Sequence, residues 1–344
     1  YELLKVNFNE TTGQSKFGEK GKTVITEAMR KGLVKSEKDG AVYVDFEKEN
    51  LPKRYILRSN GTASYITQDI GAAIERDKKY QFDKMIYATD YRQSLHFQQL
   101  FAILKKFGYK FTDKCYHVPF GNVKFGKEIL ATRAGNIILL EDVLKKTIEK
   151  AKAEIKKRKA QGEEFDESKK NKDNESSSER AEKIGVGAIK YIILRNEPIK
   201  DVEFSWDIAL NFEGDSGPYI QYTYARASSI IKKAKENKIN KKIKNKVNSK
   251  EIKTEAITNQ ESQLIKKIAE LPKRIEEVVE KSSPNLLASY SFNLAKLFNE
   301  FYHSCQVINA KKETKERRLK IIEAFRTTIK NSLYLLGIEV MNEM

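Results

Sequence analysis

Apolar residues in the first third of the chain follow two rhythms. "LVKSEKDGAVYVDF" (33–46) alternates about a Lys-Asp-Gly step and predicts a hairpin. "RYILRS" (54–59) and "DKMIYAT" (83–89) are short apolar runs that predict buried strands. Helical periods lie around them. "TVITEAMRKG" (23–32) reads as a helix closed by Gly32, and "ASYITQDIGAAIERD" (63–77) as a second helix after an Asn60-Gly61-Thr62 turn. In "SLHFQQLFAILKKFG" (94–108), Phe97, Leu100, Phe101 and Leu104 fall at i, i+3, i+4 and i+7, and Gly108 stands where a C-cap belongs. Strand–helix alternation at this spacing predicts a parallel sheet with crossover helices.

The pattern then changes. "KKTIEKAKAEIKKRKAQ" is a charged helix, and "GEEFDESKKNKDNESSSER" is a polar tract without core residues, read as a mobile linker or insertion. From about 184 onward the rhythm is helical. Pro284 opens a helix predicted to run to about 310, with Leu287, Tyr290, Leu294, Phe298, Phe301 and Cys305 on its apolar face. Another helix is predicted from about 316 to Leu336, closed by Gly337. The fold class expected is α/β followed by all-α.

Charge adds a partner to this picture. The 344 residues carry a net charge of +17, and the stretch 232–254 holds ten lysines against two glutamates. A polyanion such as nucleic acid is one reading and a solvated lysine face is the other. Two distant cysteines (Cys115, Cys305) and three scattered histidines (His96, His117, His303) provide neither a disulfide framework nor the spacing of a structural metal. There is no apolar run of membrane-spanning length and no visible signal peptide, so no membrane association and a cytoplasmic location are expected.

Candidate chemistry collects after the strands, where open α/β sheets bind ligands. Tyr65 and Asp69 stand at i and i+4 on one helix face. A phenol and a carboxylate suit a planar cation, with Gln93 and His96 at the same edge; alternatively, Tyr65 is core and Asp69 an ordinary surface acid. The loop 117–144 has glycines at 121, 126 and 135 beside Lys124, Lys127, Thr132 and Arg133, and could close on phosphates. No Walker-type loop or GxGxxG fingerprint occurs.

Taken in order, these segments resemble the arginyl-tRNA synthetases, a class I family. "NGTASYITQDIGAA" is similar to the family's Gly-Thr-x-x-Tyr-x-Thr-Arg-Asp segment, with Gln68 at the usual arginine. "FDKMIYATDYRQSLHFQQLFAILKKFGY", "HVPFG", "FEGDSGPYIQYTYARASSI", "LLASYSFNLAKLFNEFYHSCQVI" and the terminal "LYLLGIEVMNEM" follow in the family's order. The resemblance implies the second half of a Rossmann-like catalytic domain followed by a helical-bundle anticodon-binding domain. The expected boundaries are 1–53 for part of a connecting insertion, 54–150 for the catalytic half, 151–212 for linker and connecting helices, and 213–344 for the anticodon-binding domain. It further implies ATP as co-substrate, with Mg2+, and arginine and tRNA(Arg) as partners of a monomer. Tyr65, Asp69 and Gln93 would recognise arginine. His117, Phe120, Gly121 and Gly135 would bind ATP, and Lys127, Thr132 and Arg133 would serve catalysis. Tyr219, Tyr222 and Arg226 share one helix face at i, i+3 and i+7 and, with Lys232 and Lys233, would face tRNA while gluing that helix to the catalytic half.

Two departures qualify the resemblance. The His-Ile-Gly-His signature of class I synthetases is absent. The expectation is that the family's first catalytic half lies upstream of Tyr1 and that this chain alone is inactive. In "EILATRAGN" (128–136), Thr132, Arg133, Gly135 and Asn136 match the family's second signature loop, while Ile129, Leu130, Ala131 and Ala134 do not. Lys124 or Lys127 would then supply the lost positive charge. The competing readings are a non-catalytic tRNA-binding protein, one subunit of a split synthetase, or a generic basic RNA-binding scaffold.

Overall fold

Packing divides the chain into two units, Phe8–Asn122 and Tyr1–Asn7 with Val123–Met344. The computed structural model describes residues 1–47, 49–126, 139–160, 176–242 and 256–343.

In the first unit, α1 (Gly18–Arg30) precedes a three-stranded antiparallel sheet, β1 (Lys35–Ser36), β2 (Val42–Phe46) and β3 (Leu51–Leu57). The hairpin turns where the Lys-Asp-Gly step predicts, pairing Lys35 with Tyr43 and Ser36 with Val42. Next come α2 (Tyr65–Tyr80), β4 (Met85–Asp90), α3 (Ser94–Lys106) and β5 (Cys115–Phe120). β4 and β5 pair in parallel, from Met85↔Cys115 to Asp90↔Phe120, with α3 as the crossover. The expected parallel sheet is therefore smaller than the alternation suggested. The strand read at 54–59 belongs to the antiparallel sheet, because its run begins at Leu51 and returns directly alongside β2.

The core of this unit joins the helices to both sheets. Ile25, Val44, Phe46, Ile56, Ile66, Ile70, Leu100, Ile103 and Leu104 are all buried. Two close approaches fix α1 against α2. A methyl at Gly21 would overlap the Thr67 carbonyl, and one at Gly71 would overlap the Phe17 carbonyl. The first turn of α2 is tied to β3, since Ser64 Oγ donates to the Tyr55 carbonyl (3.1 Å) and Thr67 Oγ1 donates to the Ile56 carbonyl. α3 is tied to the same strand by the buried Gln99, whose Nε2 donates to the Pro52 carbonyl at 2.8 Å. Gly108 holds φ +88 just past the C-cap, the left-handed position its residue type suits.

The second unit opens with β6 (Val123–Phe125), parallel to β7 (Val202–Phe204). Between them run α4 (Leu140–Ala160) and α5 (Ser177–Leu194), followed after β7 by the short α6 (Trp206–Ala209). The tail of the polar tract is not linker. Ser176 accepts from the Glu179 N–H and the Glu179 side chain accepts from the Ser176 N–H, a reciprocal capping box that starts α5. The rest of the tract, 161–175, lies outside the described residues, as does 243–255 of the lysine-rich stretch.

The bundle consists of α7 (Gly217–Lys242), α8 (Asn259–Ala269), α9 (Leu271–Lys281), α10 (Asn285–Ser304) and α11 (Lys312–Leu335). All six apolar residues predicted for α10 are buried. The helix ends at Ser304 rather than near 310, because Cys305 turns to extended backbone (φ −120°, ψ 106°) and carries its side chain into the same core. Phe298 stacks on Phe325 of α11 with centroids 4.0 Å apart and both rings fully buried. Truncating either would cost about 3–5 kcal/mol.

Candidate functional site

The carboxyl ends of β4 and β5 and the first turns of α2 and α3 bring together the polar side chains of the first unit. Asp69, one turn into α2, is mostly buried. Its Oδ1 accepts from Gln14 Nε2 at 2.7 Å, and its Oδ2 lies 2.7 Å from His96 Nε2. The other ring nitrogen of His96 is 3.2 Å from Arg54 Nη2 on β3. Tyr65 stands beside this group, 59 % exposed, its ring edge-on to His96 at 5.8 Å. Tyr65 is therefore not core, and Asp69 is bonded to Gln14 and His96 rather than alone on the surface. A carboxylate with an exposed phenol at its rim suits a cationic planar group.

Gln93 lies in a single turn (Tyr91–Gln93) between β4 and α3, exposed. That turn is set by Asp90, which accepts from the Arg92 backbone N–H and takes the Arg92 guanidinium fork at 2.8 and 2.7 Å. Arg92 holds the Asp90 carboxyl down at about 2. At the neighbouring strand end His117 lies 2.9 Å from Thr89 Oγ1 and stacks on Phe97 at 4.6 Å. Burial, with His96 adding a second contribution, lowers the pKa of His117 and favours its neutral form. Phe120 is 45 % exposed and Gly121 half-buried just beyond it. Lys127, Thr132, Arg133 and Gly135 lie outside the described residues. Lys124, one candidate for the missing charge, pairs with Asp201 at 2.8 Å on the β6–β7 edge.

In the helical unit, Ser216 accepts from the Tyr219 N–H and Pro218 stands inside the first turn of α7, so the Gly-Asp-Ser-Gly-Pro step is a helix start. Arg226 meets Tyr222 directly and Tyr219 through Asn299. The Arg226 guanidinium lies between the Tyr222 and Tyr302 rings at 4.8 and 4.9 Å and donates to Asn299 Oδ1 at 2.7 Å. Asn299 Nδ2 in turn donates to the Tyr219 hydroxyl at 2.8 Å. Lys232 pairs with Glu343 at 2.8 Å, and Lys233 is exposed. Gln14, Arg54, Asn299 and Tyr302 have no local sequence signal. Each joins its partners across 42 to 80 residues of chain, or by an aromatic face alone. Among the described residues no group of three or more His, Cys, Asp or Glu could hold a metal ion. Among them, too, no helix is long and apolar enough to cross a membrane.

Residues 1–206 match the family model for the catalytic domain of class I (R) tRNA synthetases, and residues 220–344 match the DALR anticodon binding domain. The arginine–tRNA ligases of Clostridium perfringens and Halothermothrix orenii are each 38% identical to the whole of this chain, which spans 57% of their length. The arginyl-tRNA synthetase of Plasmodium falciparum shares the fold over 100% of this chain and 56% of its own, with a TM-score of 0.79 at 24% identity. That of Thermus thermophilus does so over 94% and 58%, with a TM-score of 0.74 at 24% identity. The architecture is that of a class I synthetase catalytic domain followed by an all-helical anticodon-binding domain. Within that class, the chain belongs to the arginyl-tRNA synthetase family.

Proposed function

We propose that the native protein joins arginine to the 3′ end of tRNA(Arg), consuming ATP through an arginyl-adenylate. The observation that carries this reading is the Asp69 carboxylate, held by Gln14 and His96 with Tyr65 exposed at its rim. Asp69 pairs with the substrate guanidinium, whose planar fork separates arginine from lysine. Tyr65 covers the guanidinium face, and Gln93 adds a neutral amide at the strand edge. His117, Phe120 and Gly121 are assigned to ATP binding, as is Gly135 outside the described residues; a neutral His117 has one unprotonated ring nitrogen and one N–H for the adenine or ribose. Lys127, Thr132 and Arg133 stabilise charge at the α-phosphate as the adenylate forms. Mg2+ arrives with the ATP phosphates as part of the substrate. The second nucleophile is a tRNA ribose hydroxyl, so the protein's own contribution is positioning and charge stabilisation.

Tyr219, Tyr222, Arg226, Lys232 and Lys233 form the tRNA-facing surface of the helical unit. The exposed Tyr302 ring, stacked on Arg226, extends it. In keeping with a role in translation, the protein acts in the cytoplasm as a monomer. The test is charging of tRNA(Arg) by the native protein, with tRNA, arginine and ATP all present and each omitted in turn. Charging that needs all three supports the reading. Tight tRNA binding without charging would replace it with a non-catalytic tRNA-binding role or a partner-dependent subunit.

A further inference from the structure

Arg54 is a cation in an unusual position. Its Nε–H is buried without an acceptor, and among the described residues its one hydrogen bond runs from Nη2 to the Nδ1 of His96 at 3.2 Å. Among the described residues no carboxylate pairs with it directly. Packing alone does not account for a guanidinium there, since an apolar side chain would fill the space without the desolvation cost.

The chemistry of the pair fixes a proton. A guanidinium has only N–H donors, so His96 Nδ1 must be the acceptor. In the neutral ring the proton then sits on Nε2, which lies 2.7 Å from Asp69 Oδ2 and donates to it. This tautomer is assigned from the hydrogen bonds, as tautomers are where no hydrogen is located. Asp69 Oδ1 receives Gln14 Nε2 on its other side. Each carboxylate oxygen thereby has one donor within the protein and keeps a further acceptor position. A guanidinium fork takes one acceptor from each oxygen. The edge-on Tyr65 ring at 5.8 Å and the Phe97 ring at 5.3 Å restrict rotation of the imidazole.

We propose that Arg54 and His96 are positioning residues for guanidinium recognition: Arg54 fixes the Nε2–H tautomer of His96, and His96 holds the Asp69 carboxylate in the plane that a bidentate guanidinium needs. This rests on the reading of Asp69 as the arginine carboxylate partner. Neither residue touches the substrate. Their effect is to pre-orient the group that does, so it falls on arginine binding and not on the chemical step.

Four variants of the native protein test this: Asp69→Asn, His96→Ala, His96→Gln and Arg54→Met. In the charging assay, His96→Ala and Arg54→Met should raise KM for arginine about ten- to a hundredfold, the loss expected for one hydrogen bond to a charged group. The kcat and the KM for ATP should stay near those of the unaltered protein. His96→Gln should recover most of the loss, because its amide carries an acceptor for Arg54 and a donor for Asp69. Independently, ring 15N spectra should show His96 with Nε2 protonated and Nδ1 bare, and Arg54→Met should convert this to a mixture of tautomers. The signals lost in the His96→Gln spectrum identify those of His96. Unchanged arginine KM in His96→Ala and Arg54→Met, with Asp69→Asn defective, overturns the proposal while leaving Asp69 in place. A proton on His96 Nδ1 in the unaltered protein overturns it whatever the arginine KM of the variants. Unchanged arginine KM in Asp69→Asn removes the underlying reading, and this inference with it.

Discussion

Glu261, with no accessible side-chain surface, accepts from Arg318 Nε at 2.9 Å inside the helical unit. The same carboxylate accepts the Thr258 backbone N–H at 2.7 Å as half of the capping box that starts α8, and Arg317 approaches it at 3.3 Å. Arg318 also donates to the Gln306 carbonyl at 2.6 Å, so one ion pair joins α8, α11 and the segment after α10. Burial alone would raise the Glu261 pKa, but the Thr258 N–H and the two arginines outweigh it and hold the carboxyl low.

Glu261→Ala should therefore destabilise the helical unit by about 3–5 kcal/mol, since it strands Arg318 without a counter-ion. The folded pKa is depressed. The stabilisation is thus present above the unfolded carboxyl value of about 4.3 and is lost as pH falls through the folded one. Urea midpoints of the two proteins at neutral pH test the size. A midpoint for Glu261→Ala within error of the unaltered protein would show that the pair is not what joins these helices.

A second pH response belongs to the first unit, through His117. Its folded pKa is depressed, so the folded state binds fewer protons than the unfolded one and stability rises with pH. The penalty sets in as pH falls below the unfolded histidine value of about 6.5 and is complete below the folded one. His117→Gln should flatten the melting temperature of this unit across that window. An equally steep profile in the variant would assign the response to other groups.

The reach of the sequence differs between elements for physical reasons. The α10 face was legible because six apolar residues keep helical period and all are buried against one core. The three glycine caps, Gly32, Gly108 and Gly337, were legible because the left-handed backbone they adopt is local. The strand at 54–59 was placed in the wrong sheet because an apolar run does not say which neighbour it pairs with. The Ser176–Glu179 capping box was hidden in a polar tract whose composition resembles linker. At the candidate site, i, i+4 spacing puts Tyr65 and Asp69 on one helix face, and only the family resemblance gives them a role. Their supports were not legible, because Gln14 comes from 55 residues away and Arg54 reaches His96 across 42.

Gly217 carries a structural demand that composition does not reveal. A Cβ there would lie 2.6 Å from the Gly187 carbonyl oxygen, where α5 and α7 cross, and one at Gly187 would lie 2.7 Å from Gln221 Nε2. Gln221 is itself pinned, donating to the Lys183 and Glu339 carbonyls at 3.1 and 2.8 Å. Gly217→Ala should cost on the order of 1–3 kcal/mol by overpacking, despite the better helix propensity of alanine. A thermal melt at or above that of the unaltered protein would mean that the helices can part at no cost.

Asn299 separates the two roles assigned to the α7 face. It bridges Arg226 and the Tyr219 hydroxyl, so it contributes no charge of its own but holds the guanidinium between Tyr222 and Tyr302. Asn299→Ala should lower stability by about 1–2 kcal/mol and release Arg226 from its stacked position. If this face meets tRNA, affinity should fall several-fold while the slope of log K against log salt stays the same, because the number of cations is unchanged. Arg226→Ala should lower both, reducing the slope by about 1. Arg226→Lys should keep the slope but lose the planar stacking, and so bind weakly. Equal tRNA affinity in all three variants would leave the network a purely internal fastening of α7 to α10, and would move the RNA-binding surface of the helical unit elsewhere.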